Sequence, residues 1–159
     1  MSSLNTYMKN IHAPIIVEGR YKSTLQKVWK AISDNKEIKK WHFEIEELKL
    51  IPGYEFEFTA GTDEKKYLHT CKIMEVVENK KLSYSWRYDG YSGDSLVTFE
   101  LNEEGEYVHL KLTHDGVTSF PSGNADFVKD NFIAGWKKII GTNLPAFLDD
   151  DVSEQKKPK

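Results

Sequence analysis

Cysteine is nearly absent. Cys71 stands alone among 159 residues, and a lone thiol forms no internal disulfide, so folding does not depend on an oxidising compartment. Positive charge is not in excess either: 22 Lys and Arg against 25 Asp and Glu leave a net charge of −3, with a sequence pI near 6.0. That balance argues against a nucleic-acid binder built on a basic face. No run approaches the roughly 18 apolar residues of a membrane helix. The opening MSSLNTYMKNIHAP carries no apolar segment of signal-peptide length. The expectation is a soluble, unexported, cytoplasmic protein.

Chemical motifs are equally scarce. There is no G-x-x-x-x-G-K phosphate loop and no G-x-S-x-G elbow, and Cys71 lacks an identifiable activating base. The histidines His12, His42, His69, His109 and His114 are scattered, without H-x-x-x-H or C-x-x-C spacing. His69 and Cys71, two apart, would share one face of a strand, but a transition-metal site needs more ligands than two. The sequence therefore predicts no metal, no cofactor and no catalytic set.

What the chain has is rings: 8 Phe, 8 Tyr and 4 Trp, 13% of residues. Their placement follows a change of period. The run Pro14 to Tyr21 is β-branched and reads as a strand. Ser23 and Gln26 have the form of a capping box, followed by Leu25, Val28, Trp29 and Ile32 at helical spacing. Asp34 before Glu37 marks a second short helix carrying Ile38 and Trp41.

From Phe43 the period becomes two. Tyr54, Phe56 and Phe58 alternate with Glu55 and Glu57, and Leu82, Tyr84, Trp86 and Tyr88 share one strand face. Val97, Phe99 and Leu101 align in a third run, and Val108, Leu110, Leu112 and His114 in a fourth. Pro52-Gly53, Glu78-Asn79, Asp89-Gly90 and Glu104-Gly105 supply turns, giving an antiparallel meander.

After Phe120-Pro121 a 3.6-residue period returns. Phe127, Val128, Phe132, Gly135, Trp136, Ile139, Ile140 and Leu144 form a stripe on a helix expected from about Asn124 to Leu148, with Gly141 and Pro145 predicting a kink or early end.

A sheet with one aromatic face must bury it, and only this helix is long enough to cover it. The expected fold is therefore α+β. It is a helix-grip, a curved antiparallel β-sheet wrapped around a long C-terminal helix, with two short helices after the first strand closing one mouth. Residues 13–148 form the single domain; 1–12 and 149–159 read as flexible tails.

The ordered series Val28-Trp29-x-Ala31-Ile32-Ser33-Asp34, Trp41, Glu75-Val76, Leu82-x-Tyr84-x-Trp86, Val97-x-Phe99-Glu100-Leu101, Leu112-Thr113-His114-x-Gly116 and Gly135-Trp136 to Asn143-Leu144 resembles one known domain. It is the domain named after the activator of the heat-shock-chaperone ATPase, within the START and birch-pollen-allergen-like (SRPBCC) superfamily. The resemblance covers about Ile15 to Leu148 and implies a fold that often encloses a ligand cavity. It also implies a possible link to stress response. The chaperone activator itself carries a further N-terminal domain, for which the first dozen residues leave no room.

Trp41, Tyr54, Phe56, Phe58, Tyr84, Trp86, Phe99, His114, Phe132 and Trp136 are the candidate ligand-binding residues, with Trp41 as a gate. A ring-lined cavity and a filled core both satisfy the pattern. The leading expectation is non-enzymatic binding of a small apolar or aromatic molecule. Lys22, Lys27, Lys30, Lys36, Lys39 and Lys40 carry the alternative, a chaperone-type protein partner for a locally basic helical end. A second alternative is cyclase-like or hydrolase-like chemistry with His114 as acid or base.

Overall fold

The computed structural model describes residues 13–45, 47–61, 64–121 and 123–149. Among them six strands form one antiparallel sheet: β1 (Ile15–Lys22), β2 (Glu55–Gly61), β3 (Lys66–Val77), β4 (Lys81–Tyr88), β5 (Ser95–Glu104) and β6 (Tyr107–Asp115), in the spatial order β1-β6-β5-β4-β3-β2. Between β1 and β2 lie α1 (Leu25–Ser33) and α2 (Asn35–Trp41). The last helix, α3, runs from Lys129 to residue 149 and packs along the inner face of the sheet. This is the helix-grip that the sequence predicts.

The strands obey the two-residue period because every second side chain is apolar and faces α3. Ile15, Val17 and Tyr21 pair across β1 and β6 with His114, Leu112 and Val108, and all six are buried. The pairing of β3 with β4 shifts at a bulge where Ile73 and Glu75 take successive partners and Met74 is left over, 51% exposed. A bulge adds local twist and bends a strand, which helps the sheet curl around the helix.

Three local features differ from the sequence reading. The cap of α1 is Thr24 rather than Ser23: its hydroxyl accepts from the Lys27 amide at 3.2 Å. The expected helix start near Asn124 is a 3-10 turn over Ala125–Phe127, capped by Asn124, and α3 begins five residues later. Of the expected tails, 1–12 and 150–159 lie outside the described residues, while Asp149 belongs to α3.

Gly141 and Pro145 neither end the helix nor break it. Instead Ile139–Asn143 forms a π turn in which the Leu144 amide reaches back to the Ile139 carbonyl, and residues 144–149 continue as helix. Skipping one hydrogen bond orphans the Ile140 carbonyl, and Pro145 has no N–H to offer it. Tyr21, on β1, donates its buried hydroxyl to that carbonyl at 2.6 Å. The phenol reaches it by lying over Gly19, where an added Cβ would fall 2.2 Å from the Tyr21 hydroxyl.

At the other end Trp41 donates its indole N–H to the Ala31 carbonyl at 2.9 Å, tying α2 to α1, while Lys30, Lys36, Lys39 and Lys40 project into solvent. Removing the Tyr21 hydroxyl leaves a buried carbonyl unmet, so Tyr21→Phe should lower the unfolding free energy by about 1–3 kcal/mol in urea titration. Gly19→Ala should also destabilise, by displacing the same ring.

Candidate functional site

Between the open ends of β2, β3 and β4 and the middle of α3 lies a cavity of about 280 Å³. Its existence follows from small residues at facing positions. Ala60 and Gly61 end β2, and Gly135 is the helix residue opposite, where an added Cβ would meet nothing within 4 Å. Around that gap stand six rings, Tyr67, Trp86, Tyr88, Phe127, Phe132 and Trp136, all buried. Neighbours meet edge-to-face or tilted, as Tyr88 and Phe127 do at 4.7 Å, the geometry that ring quadrupoles favour.

The polar atoms of the wall are largely engaged within the protein. Trp86 Nε1–H donates to the Tyr88 hydroxyl at 2.9 Å. His69 lies 3.0 Å from the Tyr67 carbonyl through Nδ1, and since a carbonyl only accepts, Nδ1 carries the proton. At the rim Tyr67 donates to Asp126 Oδ2 at 2.5 Å, and Asn131 Nδ2 donates to the Asp126 carbonyl at 3.0 Å. Lys65 sits over the Tyr67 and Tyr91 rings, at 5.3 and 5.9 Å from their centroids. Hydrogen bonding to Tyr91, with the nearby phenols, holds its ammonium above its ordinary pKa.

Of the ten candidate residues, Trp86, Phe132 and Trp136 line this cavity. Trp41, Phe56, Tyr84 and Phe99 surround only a void of about 10 Å³, so the end beneath the short helices is packed solid. Trp41 is a staple there. Phe58 is sandwiched between Phe43 at 3.9 Å and His69 at 4.3 Å, behind the cavity wall. Tyr54 precedes β2, half-buried, and donates to the Glu47 carbonyl at 2.8 Å.

The rim and half the wall lay outside the candidate set: Tyr67, Tyr88, His69, Lys65 and Asp126. The alternation Tyr67-x-His69-x-Cys71-x-Ile73 was the available signal for the inner face of β3, all four being buried. Burial pushes the Cys71 thiol pKa up, so it stays protonated. Among the described residues no group of three His, Cys, Asp or Glu side chains comes together as a metal site.

His114 is 0% exposed. Its Nδ1 accepts the Trp136 indole N–H at 2.9 Å, so Nε2 carries the proton and donates to Ser95 Oγ at 2.8 Å. Ser95 in turn donates to the Trp86 carbonyl at 2.8 Å. Both ring nitrogens are occupied, and the chain links α3, β6, β5 and β4. Acid–base chemistry on a substrate has no free atom to use here, and the arrangement makes His114 a structural ligand of Trp136.

Three imidazoles are held neutral by burial: His114 and His42 are pushed down to about 3, and His69 to about 4. The unfolded chain protonates all three near their ordinary value of 6.5. Folding is therefore fully supported above that pH, and the contribution is lost as pH falls from about 6.5 towards 4. Each group adds a slope of about 1.4 kcal/mol per pH unit, so urea titrations should show stability falling by up to about 4 kcal/mol per unit in that window. A flat profile between those pH values would contradict the burial of these rings.

Among the described residues no helix is long and apolar enough to cross a membrane. The fold is shared with many solved structures. Mll3558 from Rhizobium loti superposes with a TM-score of 0.74 at 19% identity, over 87% of this chain and 98% of that one. CalU16 from Micromonospora echinospora gives 0.64 at 24% identity, over 89% and 79%. DynU16, from the dynemicin biosynthetic locus, gives 0.70 at 18% identity over 86% of this chain, which spans 47% of that protein. No curated protein matches the sequence. The sequence profile of the family described as "Activator of Hsp90 ATPase homolog 1-like protein" matches residues 22–149, so the chain belongs to that family.

Proposed function

We propose that the protein binds a small apolar or aromatic molecule, without transforming it, in the cavity between the sheet and α3. The observation that carries this reading is the gap at Gly135: six buried rings surround a space of about 280 Å³ that no side chain fills. The space opens to the surface past Gly61, Lys65, Asp126, Asn131 and Gly135, so a small molecule can reach the buried rings from solvent. The volume lies just below the usual range of small-molecule pockets, of order 300–1,000 Å³, which suits a compound of one to three rings. The biosynthetic locus of DynU16 accords with a small-molecule role for this fold. Binding without turnover is favoured because the neutral His69 is held by a backbone carbonyl and the Asp126 carboxylate at the rim is held by the Tyr67 hydroxyl.

Gly135→Leu provides the test. The new side chain enters open space and replaces a mid-helix glycine, which should raise stability by about 0.5–1 kcal/mol. It also fills the cavity. In a thermal-shift screen of aromatic compounds, ligands should raise the melting temperature of the wild-type protein and leave that of Gly135→Leu unmoved. Equal shifts in both proteins, or none in either, would overturn the proposal.

A further inference from the structure

The nature of the ligand is written in the hydrogen-bond inventory of the cavity wall. Four ring N–H or O–H groups on or beside it already have acceptors in the protein. Trp136 donates to His114, Trp86 to the Tyr88 hydroxyl, His69 to the Tyr67 carbonyl and Tyr67 to Asp126. The fifth does not. Tyr88 lines the cavity and is only 7% exposed; its oxygen accepts from Trp86, and among the described residues nothing accepts its own proton. A phenol that already accepts one hydrogen bond still has its own proton to give, and here that proton is available to whatever occupies the cavity.

From this we infer that the cavity selects a planar aromatic compound bearing a hydrogen-bond acceptor, a ring ketone or its equivalent, whose oxygen receives the Tyr88 hydroxyl proton. The inference rests on the cavity being a ligand site, and adds the chemical class and the residue that recognises it.

Three further features fit. Burial raises the phenol pKa, so the group remains an O–H donor throughout the physiological range. Accepting from Trp86 polarises the hydroxyl and strengthens what it donates. The rings of His69, Phe127 and Phe120 pack around Tyr88 at 4.7, 4.7 and 5.1 Å, fixing the direction of the hydroxyl rather than leaving it to swing.

Fluorenone and fluorene, alike in shape and differing by one carbonyl, separate this inference from the broader reading. A cavity without a donor favours the hydrocarbon, because a carbonyl leaves its water hydrogen bonds behind. In equilibrium dialysis the wild-type protein should bind fluorenone roughly three- to tenfold more tightly than fluorene, as one net hydrogen bond provides. In Tyr88→Phe the order should reverse. Fluorene binding as tightly as fluorenone in the wild type would overturn the acceptor requirement and leave the apolar pocket standing. A ketone preference that survives in Tyr88→Phe would overturn the assignment to Tyr88. Failure of both compounds to bind would remove the inference together with the reading beneath it.

Because Tyr88→Phe also leaves the Trp86 N–H unmet, the wild-type protein supplies an independent measurement. The infrared carbonyl stretch of bound, carbon-13-labelled fluorenone should lie below its position in alkane, towards that in alcohol. An alkane-like frequency would overturn the inference whatever the variant does.

Discussion

The hydrogen bond from the Trp136 indole to His114 is the constraint around which the interior is arranged. A single helix must cover the whole inner face of a six-stranded sheet, and the largest ring on that helix brings an N–H with it. In a dry interior that N–H needs an acceptor, and an imidazole on β6 provides one only while it stays neutral. Ser95 takes the other imidazole proton and hands its own to the backbone of β4, so one helix position is registered against three strands. Trp136 then stands fixed between two regions, with Phe99 and His42 on its core side at 6.2 and 5.8 Å and Trp86 at 5.5 Å along the cavity wall.

The two ends of the sheet–helix space are treated differently for a steric reason. Under α1 and α2 the chain delivers Trp41, His42 and Phe43 in succession. Phe43 stacks on Phe58 and leaves a void of about 10 Å³. At the opposite end the facing residues are Ala60, Gly61 and Gly135, and rings can stand around the space without entering it. The π turn extends the contrast. It keeps α3 continuous past Pro145, and its orphaned carbonyl is satisfied from β1 by Tyr21. That second tie holds the far half of the helix to the first strand, so both halves of α3 are anchored by a polar contact inside an apolar interface.

Under the proposed function these anchors matter, because a ligand site is only as specific as its walls are rigid. Every indole or imidazole proton placed on the cavity wall is held by the protein, which leaves ring faces for apolar contact and little polarity inside. At the rim Lys65, Tyr67, Asp126 and Asn131 hold one another, so charge is confined to the mouth. A family whose members share the fold at 18–24% identity can keep this frame and alter the residues that face the space.

Much of this was legible in the residue order. The change from helical to two-residue period and back set the elements. Alternation in Leu82 to Tyr88 and Val108 to His114 set the inward faces, because a strand has only two faces and one must be dry. The separation of filled core from cavity was not legible. Phe99 and Phe132 are the same residue type on equally apolar faces, and only their neighbours in space, Tyr84 and Trp136 around Phe99 and the cavity beside Phe132, make one a packing ring and the other a wall. His114 likewise reads as a rim residue until the fold sets Trp136 beside it. Sequence by itself determined the elements, their buried faces and the need for one covering helix, since these follow from local periodicity. Tertiary structure alone decided where the interior is full and which polar groups find partners in it, since these depend on side chains meeting from strands and helices far apart in the chain.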